Sequence, residues 1–395
     1  MKIVHYMASI RLSDGGVVRA TLDMSEALAA AGHDFTLITA HTDDVPDEWR
    51  SGGPGLPRVV GLEPPLGRGR LLKKHHLDVA RDCLTGADVL HMHTPWELGN
   101  LQFARLAREA GIPYVISIHG MLDDWAMAQR PLKKRTFHAA FARRLLSGAA
   151  LVHCTAESEL RQSDRWFGGA TGRVVPLVMD FRDYMQLPGT DAARGAFAAA
   201  DTDDPIVLFL SRVHPGKGLE NLLGATRTLL DEGRRLRLLV AGTGEQWYVR
   251  AIQHKAQELE LGDACHFLGM VRGIEKVSLY EAADIFVLSS EHENFGLVIP
   301  EALAAGTPVI ASKGVSIWPE LKAGGGSIIA PETAGGIADA VRTLLDDPDR
   351  CRAMGERGRA WILEFLDKQR ITGEYERMYR DAAGQPAPTA REAAA

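Results

Sequence analysis

Short β-branched runs alternate with helical stretches along this chain, and the alternation runs through twice. It starts with KIVHYMA, a helical TLDMSEALAAAG and DFTLITA, then DVLHMH, a helical NLQFARLAREAG and PYVISIH. After residue 203 it begins again with IVLFLSR, GLENLLGATRTLLDEG, LRLLVAGTG, CHFLGMV, DIFVLSS and PVIAS, with helical segments between the later strands. Strand, helix, strand at this pitch means crossover connections and a parallel sheet. Two doubly wound α/β domains in series are therefore predicted, and a chain of 395 residues with 46% apolar content can give each its own core. The stretch PLVMDFRDYMQLPGTD has no clear period and contains Pro176, Pro188 and Gly189, so the join is placed there. The expected domains are 1–185 and 186–380, with a low-complexity, disordered tail over 381–395.

Charge and cysteine usage narrow the function. Net charge is −6 and unevenly spread: up to residue 190 there are 22 Lys+Arg against 21 Asp+Glu, and afterwards 23 against 30. This balance argues against a general nucleic-acid binder, so no nucleic-acid partner is expected. Cys83, Cys154, Cys265 and Cys351 share no short spacing and read as small apolar residues of a reducing compartment. The chain enters a strand at Met1 with no charged lead or apolar signal core, and nowhere do about 18 uncharged apolar residues run together. A cytoplasmic location is expected.

Open parallel sheets bind ligands beyond the carboxyl ends of their strands, so chemistry is sought in the loops that follow strands. In SRVHPGKGLENLL, Arg212 ends a strand, Gly216 and Gly218 shape a loop, and Lys217 stands at the mouth of the next helix. Two cations beside a helix amino terminus suit a dianionic phosphate; a solvated surface loop is the alternative. It is no Walker loop, because GxxxxGK[ST] is absent. In EHENFGLVIPEALAAG, Glu293 precedes the turn, Gly296 allows close backbone approach, and Glu301 falls about one turn into the helix. One carboxylate would accept bonds from sugar hydroxyls and the other would grip a ribose; a capping acid and a solvated acid are the plainer reading.

Taken together, SRxxxxKG at Arg212 and Lys217 and ExFGLxxxEALAxGxPV from Glu293 resemble the retaining GT-B glycosyltransferases of family 4. The resemblance runs over nearly the whole chain and is strongest from residue 205 to 312. It implies two Rossmann-like domains facing a cleft, with Arg212 and Lys217 on a donor diphosphate, Glu301 on its ribose and Glu293 on the transferred sugar. It further implies that the amides of Phe295, Gly296 and Leu297 lie near that sugar and that the base rests against backbone near Val271. In the first domain, Gly15 and Gly16 of DGGVVRA would face the donor phosphates, a simple tight turn being the alternative. His119, ending PYVISIHG, corresponds to a catalytic-site histidine of the family that holds the transferred sugar. His119, Glu293, Arg212 and Lys217 are thus the expected catalytic set. His91 and His93, after ADVL, are expected on the same rim, where they would help hold an acceptor. The family's usual Pro-Asn-Gly-Val-Asp turn reads PLVMD here, a departure in the linker.

The implied partners are a nucleotide-sugar donor, as substrate and not cofactor, and a glycan or glycolipid acceptor. No metal or other cofactor is expected: the DxD pairs Asp201/Asp203 and Asp347/Asp349 do not follow a strand, where a metal-dependent transferase needs them. Two basic runs, LGRGRLLKKHH with Arg68, Arg70, Lys73 and Lys74, and PLKKRTFHAAFARRLL with Lys133, Lys134, Arg135, Arg143 and Arg144, suggest contact with an anionic membrane surface. An ordinary helix packed on the sheet is the competing reading. The predicted function is retaining transfer of a hexose-type sugar from UDP or GDP to an acceptor hydroxyl, in a lipid-linked or polysaccharide intermediate. A nucleotide-sugar epimerase of the same fold and an inactive sugar-nucleotide scaffold are the alternatives. A dehydrogenase is disfavoured, since DGGVVRA stands where GxGxxG is needed.

Overall fold

In a computed structural model, which describes residues 1–63 and 71–384, the chain divides into two compact units. The first is Met1–Met179 together with the segment from Leu366 onward, and the second is Asp180–Phe365.

The first unit is built on a seven-stranded sheet: β1 (Lys2–Tyr6), β2 (Asp34–Thr39), β3 (Arg58–Gly61), β4 (Val89–His93), β5 (Tyr114–Ser117), β6 (Leu151–Cys154) and β7 (Gly172–Val174). The order is β3-β2-β1-β4-β5-β6-β7 and every pairing is parallel. Helices cover both faces, so the central strands read as continuous buried runs; all five residues of β4 are buried. Val4, Leu90, Ile116 and Val152 pack with Phe103 on one face. Ile3, Val89, Val115 and Leu151 pack on the other, against Leu28 of the helix Gly16–Ala30.

That second face is also covered by the last helix, Lys368–Ala382, which corrects the expected domain boundary. Ile371, Tyr375, Met378 and Tyr379 recur at helical spacing, are at most 1% exposed, and join the core of the first unit. The helix therefore belongs with β1, and the second unit ends at Phe365 instead of residue 380. It begins at Asp180 instead of 186, because Tyr184 is buried in it and its carbonyl accepts a bond from Arg359 at 2.7 Å. Residues 381 and 382 of the expected tail continue the helix, where Asp381 pairs with Arg173 at 2.7 Å. The remainder of that tail from 385, and Arg68 and Arg70, lie outside the described residues.

The second unit repeats the plan with six parallel strands: β8 (Ile206–Leu210), β9 (Arg237–Ala241), β10 (Cys265–Gly269), β11 (Ile285–Leu288), β12 (Val309–Ala311) and β13 (Ser327–Ile329). Their order is β10-β9-β8-β11-β12-β13. The direction of winding reverses between β8 and β11 here, and between β1 and β4 in the first unit. These are the places where an open sheet leaves a crevice for a ligand.

Candidate functional site

In the second unit the loops after β8 and β11 meet at that reversal. Gly216 accepts a bond from the Glu291 amide at 2.9 Å, and Gly218, at φ +76°, lies so close to the other loop that a Cβ would stand 2.1 Å from the Ser289 carbonyl oxygen. Only glycine allows that contact. Arg212, just past β8, is exposed and makes no hydrogen bond or ion pair with another described residue. Lys217 reaches across the junction, its Nζ 2.5 Å from Glu293 Oε2, with the two side chains 13% and 22% exposed. The backbone of Glu293 is clamped to the loop after β12: its amide donates to Gly314 at 2.9 Å and its carbonyl accepts from Ser316 at 2.8 Å. Next to it, the amides of Phe295, Gly296 and Leu297 make no hydrogen bond with another described residue, which leaves them able to meet an anion or a sugar oxygen.

Glu301, one turn into the helix Val298–Ala304, is held by two groups the sequence does not advertise. Lys276 Nζ lies 2.8 Å from its Oε1 and the Tyr280 hydroxyl donates to its Oε2 at 3.0 Å. Lys276 and Tyr280 are four residues apart on the helix Gly273–Ala282, so they share a face. Burial and the adjacent Glu301 push the Tyr280 hydroxyl well above its ordinary range, so it remains a donor. Val271, two residues past β10, is 6% exposed. Two ammonium–carboxylate pairs thus flank the reversal point, each able to exchange a protein partner for a ligand. The Asp201/Asp203 pair precedes β8, and Asp347 and Asp349 bond the helix they start, through Arg350 and Arg352, away from the carboxyl ends of the strands.

In the first unit Gly15 caps the helix Gly16–Ala30 at φ +109°, a backbone conformation that selects glycine even though an added Cβ would meet nothing within 4 Å. Gly16 is the first helical residue and is exposed. His119 lies just past β5 at φ +50° and is 9% exposed. The next amide, Gly120, donates to Glu159, a fully buried carboxylate that also accepts from the Thr155 amide at 2.5 Å and its hydroxyl at 3.0 Å. Burial raises the Glu159 carboxyl to about 6.

His91 and His93 are not on a rim. They sit inside β4, at 0% and 1% exposure, and the expectation that they hold an acceptor is corrected. Strand register explains why: His5 pairs with His91, His93 with Ser117, and Ser117 with His153, so all five side chains share one face beneath the last helix. There they link into a chain: His119 to His93 at 3.0 Å, His93 to His5 at 3.3 Å, His5 to Tyr379 at 3.0 Å and Tyr379 to His91 at 2.8 Å. It continues from His91 to Ser117 at 2.7 Å, Ser117 to His153 at 2.6 Å and His153 to the Val175 carbonyl at 2.8 Å. Burial, reinforced for most by neighbouring imidazoles, pushes all five histidines down, His93 to about 3 and His153 to about 4. His5, His91 and His93 also bring a ring nitrogen each within 4.8 Å of one another, a spacing compatible with a metal, but all six of their ring nitrogens are already links of the chain. The signal in the sequence was a polar residue near the end of each apolar strand: KIVHY, VLHMH, YVIS, LVHC.

Two family descriptions match the two halves of this chain: Glycosyl transferase 4-like domain over residues 15–178 and Glycosyl transferases group 1 over 196–361. The chain is a family 4 GT-B glycosyltransferase. It is 27% identical to glycogen synthase of Mycobacterium tuberculosis, over 92% of this chain and 91% of that one. It is 31% identical to D-inositol 3-phosphate glycosyltransferase of Nocardia farcinica, over 70% of this glycosyltransferase and 63% of the relative. Among solved structures, HepE of Anabaena in complex with UDP superposes with a TM-score of 0.77 at 20% identity, covering 96% of this chain and 99% of that one. Sucrose-phosphate synthase of Thermosynechococcus elongatus does so with 0.75 at 24%, covering 96% and 98%. At these identities the superpositions establish the fold.

Proposed function

We propose that this glycosyltransferase moves a hexose-type sugar from a UDP- or GDP-sugar to an acceptor hydroxyl with retention at the anomeric carbon. The observation that carries the reading is the Lys217–Glu293 pair at the β8/β11 reversal, beside Arg212 and the amides of 295–297, which bond no other described residue. Arg212 and Lys217 bind the diphosphate and stabilise the charge that grows on it as the glycosidic bond breaks, work that a divalent ion does in other transferases. Glu301, steadied by Lys276 and Tyr280, accepts the ribose hydroxyls, and Glu293, released from Lys217, accepts hydroxyls of the transferred sugar. The acceptor oxygen attacks on the face the diphosphate leaves; the C–O bond to the diphosphate breaks as the new one forms, and the acceptor proton passes to a phosphate oxygen. His119 is assigned to a substrate hydroxyl. Support for UDP is that HepE, of the same fold, is solved with UDP and with UDP-glucose.

A thermal-shift screen with UDP, GDP, ADP and their sugars in EDTA tests the donor assignment. A ligand at about 100 times its Kd stabilises the folded form by about 2.7 kcal/mol, so the true donor raises the melting point by several degrees without metal. Proton NMR of the product then reads the anomeric configuration. No shift with any diphosphate nucleotide, or an inverted product, refutes the reading.

The acceptor is proposed to be a glycan or glycolipid intermediate met at an anionic membrane. Among the described residues no helix is long and apolar enough to cross a bilayer. In the helical run 131–147, Ala142, Leu145 and Leu146 face the core, yet Leu132 is 83% and Phe141 43% exposed, amid exposed Lys133, Arg135, Arg143 and Arg144. Exposed apolar side chains and exposed cations on one helical run suit an anionic interface, each cation adding about 1 kcal/mol near the surface. Co-sedimentation with phosphatidylglycerol vesicles should be strong and should fall at least about tenfold in Leu132→Ser/Arg135→Ser. Equal binding to neutral vesicles would refute the electrostatic part.

A further inference from the structure

The proton order of the buried histidine chain follows from its far end. A carbonyl oxygen only accepts, so His153 carries its hydrogen on Nε2, toward Val175. Tyr375, whose hydroxyl oxygen is 3.3 Å from the same nitrogen, accepts there as well. The His153 ring is neutral, with its pKa near 4, so its Nδ1 must accept, and the Ser117 hydroxyl donates to it at 2.6 Å. That uses the only hydrogen Ser117 has, and its oxygen then takes one from His91 Nε2 at 2.7 Å. By the same rule Tyr379 donates to His91 Nδ1, His5 Nε2 donates to Tyr379, His93 Nε2 donates to His5 Nδ1, and His119 Nε2 donates to His93 Nδ1. Every link has one donor and one acceptor, and only one direction satisfies all of them.

We propose that this chain fixes the tautomer of His119, with the hydrogen on Nε2 and a lone pair on Nδ1, so that His119 accepts a hydrogen bond from a substrate hydroxyl and does not donate one. The partner of one ring nitrogen decides which nitrogen is protonated, and here that partner is six hydrogen bonds from the anchoring carbonyl, counting from His93. Tyr379 is the joint: it comes from the last helix and supplies one bond to each half of the chain. Tyr379 and Ser117 are positioning residues, acting on substrate only through His119. The tautomer stands on the hydrogen bonds of a chain of neutral, buried rings; its use toward a substrate rests on the assignment of His119 made above.

The test is ring nitrogen NMR on the full chain labelled at histidine, with the His119 signals identified by their loss in His119→Asn. In the unmodified protein His119 and His93 are expected with hydrogen on Nε2. Tyr379→Phe keeps the shape of the ring but removes both bonds, and should abolish the preference at His119, His93 and His5 while His91 and His153 keep theirs. Ser117→Ala, a cut on the sheet side, should release His91 as well and spare His153. In transfer assays Tyr379→Phe should lower kcat about tenfold with donor KM within about twofold, and should add nothing in a His119→Ala background. Hydrogen on Nδ1 of His119 in the unmodified protein, or an unchanged tautomer in both variants, overturns the proposal. Wild-type transfer by His119→Ala would instead remove the substrate role and leave the tautomer to the NMR result.

Discussion

Lys217→Ala and Glu293→Gln should each lower the transfer rate by about 10²–10³-fold, the loss seen when one preorganised charge or donor is taken from a developing transition-state charge. The two side chains hold each other at 2.5 Å, and neither is among the fully buried side chains. Each substitution leaves one charge of a largely buried pair without its partner and should cost about 1–3 kcal/mol of stability. Each variant should still melt cooperatively, below the parent but folded at the assay temperature. Glu293→Gln preserves shape and one acceptor oxygen while deleting charge, so a full loss there assigns the effect to the carboxylate and not to lost bulk. Steady-state transfer assays paired with thermal melts decide the matter. Rates within about threefold of wild type in either folded variant would place the chemistry elsewhere.

Stability should fall steeply as pH drops below about 6.5, and the first unit should fail before the second. His5, His91, His93, His119 and His153 all have folded values below the ordinary histidine value, with burial the leading cause. The unfolded chain then binds more protons than the folded one between the two values. Stability from these groups is complete above about 6.5 and is lost as pH falls toward the folded values near 3 and 4. Each ring costs up to about 1.4 kcal/mol per pH unit in that window, so five give about 6 kcal/mol between pH 7 and 5.5, comparable to the whole stability of a domain. Glu159 acts in the opposite sense: raised to about 6, it adds stability as pH falls through that value, but it is one group against five. Among the described residues every buried histidine belongs to the first unit. Urea denaturation from pH 7.5 to 4.5 should show a transition that splits, the acid-sensitive part carrying the first unit. A midpoint that stays constant from pH 7 to 5 would show that the rings are not buried as neutral groups.

Arg212, Lys217, Glu293 and Glu301 could be picked out in the sequence because their placement is a local matter. In a parallel sheet each loop after a strand lies on the ligand side, so finding the strand finds the side chain. The same rule misplaced His91 and His93 by a few residues, putting them in the loop when they are the last turns of the pleat. Lys276 and Tyr280 went unseen because their partner, Glu301, is 25 and 21 residues away on another element. The expected second domain takes in residues 368–380 because a helix's periodicity shows that it has a buried side but not which sheet that side covers.

By itself the sequence determined the double run of strands and helices, both parallel sheets and the loops that carry charge, since period and turn chemistry act over a few residues. Only the tertiary structure decided that a helix near the end of the chain closes the first sheet, bringing Tyr379 onto His5 across 374 positions. Strand order and that single crossing set which buried polar groups meet. No local pattern encodes such a meeting, because it depends on which strands lie side by side and on the requirement that every buried donor find an acceptor.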